Sequence, residues 1–282
     1  MEKRFSIIIS AYNIEDYIKR AIKSVLEQDF KNYELIVIDD KSVDSTLEKI
    51  KEINDERIIV IANPENKGLG AVRNIGIERA KGEYIVHLDG DDTLYEKNTL
   101  SRINELIGAD KPDIVFLGYQ DIGGFNKTHL STKENSTKEA RLTCDANFSV
   151  PSKCWRREFL LENNIKFMEN IYYEDMVYSM TAVILSKTTK YGEFPTFNYY
   201  RNRKGSIMST PSIRRCSDMY RMLAYLVDLY DITPKEYKKY LLSFIQNETK
   251  GLPIRVDTII KALENGSGTP VFPKRNYKYE GE

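Results

Sequence analysis

Cysteine is scarce in this chain, and histidine is scarcer. Cys144, Cys154 and Cys216 form an odd set with no C-x-x-C pair, which argues against a disulfide framework or a zinc centre and fits a reducing cytoplasm. With only His87 and His129 present, a histidine-based triad has little to work with, so carboxylates must carry any acid–base chemistry. His87 falls inside a predicted strand, where a packed or hydrogen-bonded role is expected. Charge of one sign is not in excess either: 42 Lys plus Arg balance 42 Asp plus Glu. Nucleic acid is therefore not an expected partner, and local clusters must provide any electrostatic recognition. No apolar run approaches the roughly 20 residues of a membrane span. After Met1-Glu2-Lys3-Arg4, a short apolar run is cut off by Asn13, Glu15 and Asp16, so no signal peptide is expected. What is there is a globular balance, 30% charged and 41% hydrophobic over 282 residues. That length suits one large α/β domain, or a core with a smaller appendage.

The hydrophobic pattern alternates strand and helix. Residues 5–10 (Phe-Ser-Ile-Ile-Ile-Ser) read as a strand buried on both faces. A helix over about residues 15–28 puts Tyr17, Ile18, Ala21, Ile22, Val25 and Leu26 on one stripe. Further strands are predicted at 33–39, 57–62, 84–88 and 113–117. Helices are predicted after Asp44-Ser45-Thr46, a capping signal, and over 70–80. This order implies right-handed crossovers and an α/β, Rossmann-like, mainly parallel sheet with helices on both faces. From 118 to about 146 the pattern breaks into Gly, Thr, Ser, Lys and Asn, as in an extended hairpin or loop. Helices resume from about Ser217 and are expected over 234–247 and 256–264, before a Gly-, Lys- and Tyr-rich tail.

The most informative stretch is Tyr84-Ile85-Val86-His87-Leu88-Asp89-Gly90-Asp91-Asp92. Three carboxylates at a strand end repel one another by ~1 kcal/mol per pair in water and ~4 kcal/mol at an effective dielectric near 20. They need a compensating cation or raised pKa values, and a hard divalent ion such as Mg2+ or Mn2+ is the natural partner. A solvated Asp-Gly-Asp turn is the ordinary alternative. Ligands of open α/β sheets bind beyond the carboxyl ends of strands, and four such ends here are polar. They are Ser10-Ala11-Tyr12-Asn13, Asp39-Asp40-Lys41-Ser42, Asn66-Lys67-Gly68-Leu69-Gly70 with Arg73, and the three aspartates. Asp40 can accept from the imide N–H of a uracil, or it can begin a helix turn. Gly68 and Gly70 let backbone approach a ligand. Arg73, standing where a dinucleotide fingerprint would have its third glycine, weakens a nicotinamide reading. It can pair with an acidic partner or a nucleotide, or form a packing salt bridge.

These segments, Ser-Ile-Ile-Ile-Ser-Ala-Tyr-Asn, Val-Ile-Asp-Asp-Lys-Ser, Asn-Lys-Gly-Leu-Gly-Ala-Val-Arg-Asn-Ile-Gly and Lys-Gly-Glu-Tyr-Ile-Val-His-Leu-Asp-Gly-Asp-Asp, occur in that order. Together they resemble a bacterial family 2 glycosyltransferase, closely over residues 5–117 and more loosely to about 208. The resemblance implies a GT-A fold, a nucleotide-diphospho-sugar donor (a UDP-sugar given Asp40), bound Mn2+ or Mg2+, and anomeric inversion. Carried over by position, Asp40 meets the nucleobase and Tyr12 lines its pocket, with Ser10, Asn13, Gly68, Gly70, Arg73 and Asp89 on the donor side. Asp89 and Asp91 form the Asp-x-Asp element, with Asp91 or Asp92 touching the metal. The chain departs at Lys41, where the family often has Gly, and at Val43, often Thr. Tyr173-Glu174-Asp175-Met176 resembles the element that supplies the catalytic base, and Asp175 is the candidate. An inverting transfer needs one carboxylate to take the acceptor hydroxyl's proton. A Glu-Asp pair favoured at a helix N-terminus is the plainer reading. Glu174, Trp155, Tyr200, Arg201 and Ser206 are candidates for the acceptor or diphosphate, with core packing open for the aromatics.

Four regions follow: 1–117, a nucleotide-sugar-binding core; 118–210, an acceptor and catalytic-base segment; 211–265, C-terminal helices; and 266–282, a loose tail. The expected acceptor is a hydroxyl of a glycan or glycolipid in bacterial surface polysaccharide synthesis. The expected location is the cytoplasm. Lys235, Lys238, Lys239, Lys274 and Arg275 admit a peripheral contact at the inner face of the membrane, although solvated helix faces explain them as well. Alternatives are a non-catalytic sugar-nucleotide or glycan-binding module and a sugar nucleotidyltransferase. Intact Asp91, Asp92 and Asp175 disfavour the first. Tyr12-Asn13-Ile14 replaces the Gly-rich basic loop that the second would need. A glycoside hydrolase would leave Asp40 and the aspartate cluster unexplained.

Overall fold

The computed structural model describes residues 3–142, 148–201 and 213–264. Among these residues nine strands form one sheet with helices on both faces, the mainly parallel α/β arrangement expected from the alternation. β1 (Phe5–Ala11), β2 (Tyr33–Asp39), β3 (Ile58–Ala62) and β4 (Tyr84–Asp89) lie parallel in the order β3-β2-β1-β4. Their register aligns the carboxyl ends, with Ala11 opposite Asp39 and Ser10 opposite Asp89. The continuous apolar run of β1 is explained by burial on both faces. Ile8 packs into one layer with Val72 and Ile77. Phe5, Ile7 and Ile9 pack into the other with Ile18, Ile22 and Ile103.

The helices of this half are α1 (Ile18–Leu26), α2 (Thr46–Lys51), α3 (Leu69–Arg79) and, after the two-residue β5 (Thr93–Leu94), α4 (Thr99–Ile107). α1 starts three residues later than its pattern suggests, because residues 14–17 form a turn closed by the Tyr17 N–H on the Ile14 carbonyl.

The second half completes the sheet in a way the pattern did not reveal. β6 (Ile114–Ile122) turns back into β7 (Thr128–His129), the hairpin expected after 118. After α5 (Lys138–Leu142) comes β8 (Lys153–Arg156), which inserts antiparallel between β4 and β6. α6 (Arg157–Glu162) and α7 (Glu174–Leu185) precede β9 (Thr189–Tyr200), which runs parallel to β6 and pairs with β5 at its far end. α7 is apolar nearly all round (Met-Val-Tyr-Ser-Met-Thr-Ala-Val-Ile), as a fully enclosed helix must be.

α8 (Ile213–Ile232) packs against α7, and α9 (Lys235–Glu264) packs against α8 and α5. Two helices were expected where α9 runs continuously through Pro253. Proline removes one helical hydrogen bond and crowds the preceding turn, but Leu241, Phe244 and Leu252 bury the helix against its neighbours and carry it through. Among the described residues no helix is long and apolar enough to cross a membrane. Cys154 is a free, buried thiol; Cys144 lies outside the described residues, as does the tail.

Candidate active site

The carboxyl ends of β1, β2 and β4 and the start of α3 meet at one rim. Asp40 is buried there. Its Oδ1 accepts from Asn63 Nδ2 (2.8 Å) and the Lys67 N–H (2.9 Å), and its Oδ2 from the Gly68 N–H (2.8 Å). The carboxylate thus folds the 63–68 loop around itself, a role the sequence did not show. Gly68 needs its freedom, with φ at 82°. At Gly70 a Cβ would stand 2.3 Å from the Met168 carbonyl oxygen, so the chain's own close approach already requires a glycine there. Lys41 adopts φ 64° at the position where the family often has glycine. Tyr12 is exposed, whereas Asn13 is structural, taking the Val43 N–H on Oδ1 (2.9 Å) while its own N–H reaches Ser42 Oγ (3.0 Å).

The 89–92 loop is tied down on several sides. The Gly90 N–H donates to the Ser10 carbonyl (3.0 Å) and the Asp92 N–H to the Asp89 carbonyl (2.9 Å). Asp92 Oδ1 accepts from the Tyr200 N–H at 2.9 Å. Arg20 of α1 donates to the Asp91 carbonyl at 2.8 Å. The cation that answers Asp89 is internal. Buried Arg73 reaches Asp89 Oδ1 at 2.9 Å with one amino group and Glu174 Oε1 at 3.0 Å with the other. Its guanidinium lies 5.4 Å over the Phe167 ring, which stacks on Tyr178 at 3.7 Å.

Glu174 and Asp175 begin α7 and face this arginine from the second half of the chain. Tyr173 turns them inward with φ 72°, a left-handed conformation that costs a non-glycine residue about 1–2 kcal/mol and is found at functional sites. Burial, reinforced by the charge of Asp175, pushes Glu174 up to about 7 despite Arg73. Burial also raises Asp175, against Arg73 and the Met176 N–H that bonds its Oδ1 at 2.8 Å. A carboxyl raised toward neutrality beside a second buried carboxylate suits proton transfer near neutral pH.

Among the described residues no three carboxylate, histidine or cysteine side chains converge as a metal cage. Asp89, Asp91 and Asp92 do not close as such a cage, because Asp89 is engaged by Arg73 while the Asp91–Asp92 part of the loop is fixed separately through Arg20 and Tyr200. The donor set is all hard oxygen. It fits a Mg2+ or Mn2+ ion that completes its shell with phosphate oxygens and water.

Other expectations are corrected. Trp155 does not face the site: it is wholly buried in β8, edge-on to Tyr178 at 4.9 Å. His87, by contrast, is packed as expected, edge-on to Phe167, and among the described residues neither ring nitrogen has a hydrogen-bond partner. Tyr200 stands beside the aspartate loop, while Arg201 pairs with buried Asp121 (2.8 Å) further along the β6/β9 edge. Ser206 lies outside the described residues. Sequence reasoning missed Arg20, Asn63 and Tyr173. The Pro-Glu-Asn turn after β3 was a weak signal for Asn63; Tyr173 stood in the Tyr-Glu-Asp-Met element without a role of its own, and nothing local marks Arg20.

A family model described as Glycosyl transferase family 2 matches residues 6–169. The poly(ribitol-phosphate) beta-N-acetylglucosaminyltransferase TarS of Staphylococcus aureus is 25% identical over 267 residues, 90% of this chain and 46% of that protein. The chain thus spans about half the length of that relative. The cholesterol galactosyltransferase of Borreliella burgdorferi is 31% identical over 266 residues, 86% of this chain and 73% of that protein. The crystal structure of a TarS segment with UDP-GlcNAc matches with a TM-score of 0.75 at 23% identity, over 90% of this chain and 76% of that one. A Pyrobaculum calidifontis mannosyltransferase solved with GDP-Man and Mn2+ gives 0.62 at 15% identity, over 95% and 76%. At such identities the structural likeness speaks to the fold, which is GT-A.

Proposed function

The chain belongs to glycosyl transferase family 2, and from that premise we propose that it moves a sugar from a UDP-sugar to a hydroxyl of a glycan or glycolipid, inverting the anomeric carbon. The observation that carries this reading is the Arg73 bridge. It joins Asp89 of the nucleotide-side rim to Glu174 beside the candidate base, so one guanidinium separates the two halves of the proposed chemistry. Asp175 takes the proton of the acceptor hydroxyl as that oxygen attacks the anomeric carbon. The bond from that carbon to the diphosphate oxygen breaks, and its electron pair leaves with the diphosphate. Asp91, with Asp89 or Asp92, would hold Mn2+ or Mg2+, whose charge would neutralise the departing diphosphate. Asp40 receives the base, and Tyr12 lies beside it. UDP-GlcNAc in the TarS structure supports the donor class, and Mn2+ in the mannosyltransferase supports the metal.

The test is Asp175→Asn with a panel of UDP-sugars and Mn2+. It should keep UDP affinity by calorimetry and lose transfer and donor hydrolysis by about 10²–10⁴-fold, the worth of a general base. Near-normal turnover would assign the base elsewhere.

A further inference from the structure

Arg20 lies off the apolar stripe of α1, where Ile18, Ala21, Ile22 and Val25 are buried. The core has no need of it, yet it makes two directed contacts at the rim. One amino group donates to the Asp91 carbonyl at 2.8 Å, and the guanidinium carbon lies over the Tyr200 ring, 3.7 Å from its centroid. Tyr200 in turn gives its N–H to Asp92 Oδ1 at 2.9 Å. Three separate elements, α1, the 89–92 loop and the end of β9, therefore close into one circuit through a single guanidinium. We infer that Arg20 is a positioning residue that clamps the aspartate loop against β9, so that Asp91 and Asp92 are held ready for the cation accompanying the donor diphosphate.

The chemistry favours arginine here. Crowded carboxylates push one another apart, and the loop's first half is held by β1 through the Gly90 N–H. Arg20 holds the second half, offsetting that repulsion from the carbonyl side. A planar guanidinium can stack on an aromatic face while donating in its own plane; a lysine ammonium cannot do both from one position. Such a clamp contributes by removing the need to order the loop when the ligand arrives.

The inference rests on the proposed function, and its test separates the two. Arg20→Met keeps the stem and removes the donor and charge; Arg20→Lys keeps the charge and loses the plane. Backbone hydrogen exchange reads the clamp directly. In Arg20→Met, peptides spanning 89–95 and 197–201 should exchange about tenfold faster, the worth of one charge-assisted hydrogen bond, while β1 and β2 keep wild-type protection. Calorimetry with UDP reads the consequence. Metal-free affinity should stay within about twofold, and the gain on adding Mn2+ should shrink by about tenfold, with Arg20→Lys between. Unchanged exchange overturns the clamp, as does faster exchange with the full Mn2+ gain. Should Arg20→Met fail to fold, Arg20→Lys decides by the same two readings. Wild-type UDP binding indifferent to Mn2+ would sink the metal reading, and the exchange arm would still judge the clamp.

Discussion

Glu174 illustrates how burial can outweigh an ion pair. Its partner Arg73 is 3.0 Å away, and a surface carboxylate so placed would titrate low. Here desolvation comes first and the Asp175 charge second, and together they lift it from an ordinary 4.5 to about 7. The sign for stability follows. Between these values the folded state binds more protons than the unfolded chain, so stability falls as pH rises through the window, by at most about 1.4 kcal/mol per pH unit. Glu174→Gln removes the titration. Its melting temperature should change less than that of wild type between pH 5 and 7, measured by thermal unfolding at several pH values. Matching slopes would mean that Glu174 titrates as an ordinary carboxylate. At this scale the sequence was informative about residue types and less so about partners. Asp40, Asp89, Arg73 and Glu174 were all named as candidates, but their pairing spans up to 101 positions for Arg73 and Glu174. Only the closed fold could reveal it.

The elements divide in the same way. β1 through β4 with their helices were readable because each carries its own period and the crossovers are local. β8 was not: Lys153-Cys154-Trp155-Arg156 has no strand pattern, and its burial is imposed by β4 and β6 on either side. That is also why Trp155, beside two arginines, resembled a ligand contact and proved to be core. Asp113 shows what secures this inserted strand. Its Oδ1 accepts from Arg156 Nη2 at 2.6 Å, and its Oδ2 from the Lys187 N–H at 2.7 Å and the Thr188 N–H at 3.1 Å. One carboxylate joins the start of β6, the end of β8 and the start of β9. Burial alone would raise its pKa, but these donors outweigh burial and hold it below the ordinary carboxylate range. Asp113→Ala strands two amides and leaves Arg156 only its ion pair with exposed Glu158, which should cost about 3 kcal/mol. For a chain of this size that lowers the melting temperature by about 5–8 °C in a thermal unfolding scan. A loss below about 1 °C would show that packing of Trp155 and Phe116 secures the strand without the carboxylate.

For the whole molecule, net neutrality means that ligand selection has to come from built geometry and not from a long-range field. On the proposed reading, in which Asp40 meets the base, the geometry at the rim favours one nucleotide over another. Asp40 offers about four lone-pair positions, of which the Asn63 amide and the Lys67 and Gly68 N–H groups use three. The remaining one, on Oδ2, matches the single imide N–H of uracil. Guanine presents two adjacent donors and would leave one unpaired in a buried site, costing about 1–3 kcal/mol. UDP should therefore stabilise the protein more than GDP when each is added with Mn2+ at the same concentration. A ligand present at 100 times its dissociation constant contributes about 2.7 kcal/mol, a rise of about 5 °C for a chain of this length. Tenfold to hundredfold weaker binding would hold the GDP shift to about half of that or less. Asp40→Asn should narrow the gap, since an amide can turn its own donor toward the base. Equal shifts for the two nucleotides, or a larger one for GDP, would mean that Asp40 serves only to fold the 63–68 loop and that the base is read elsewhere.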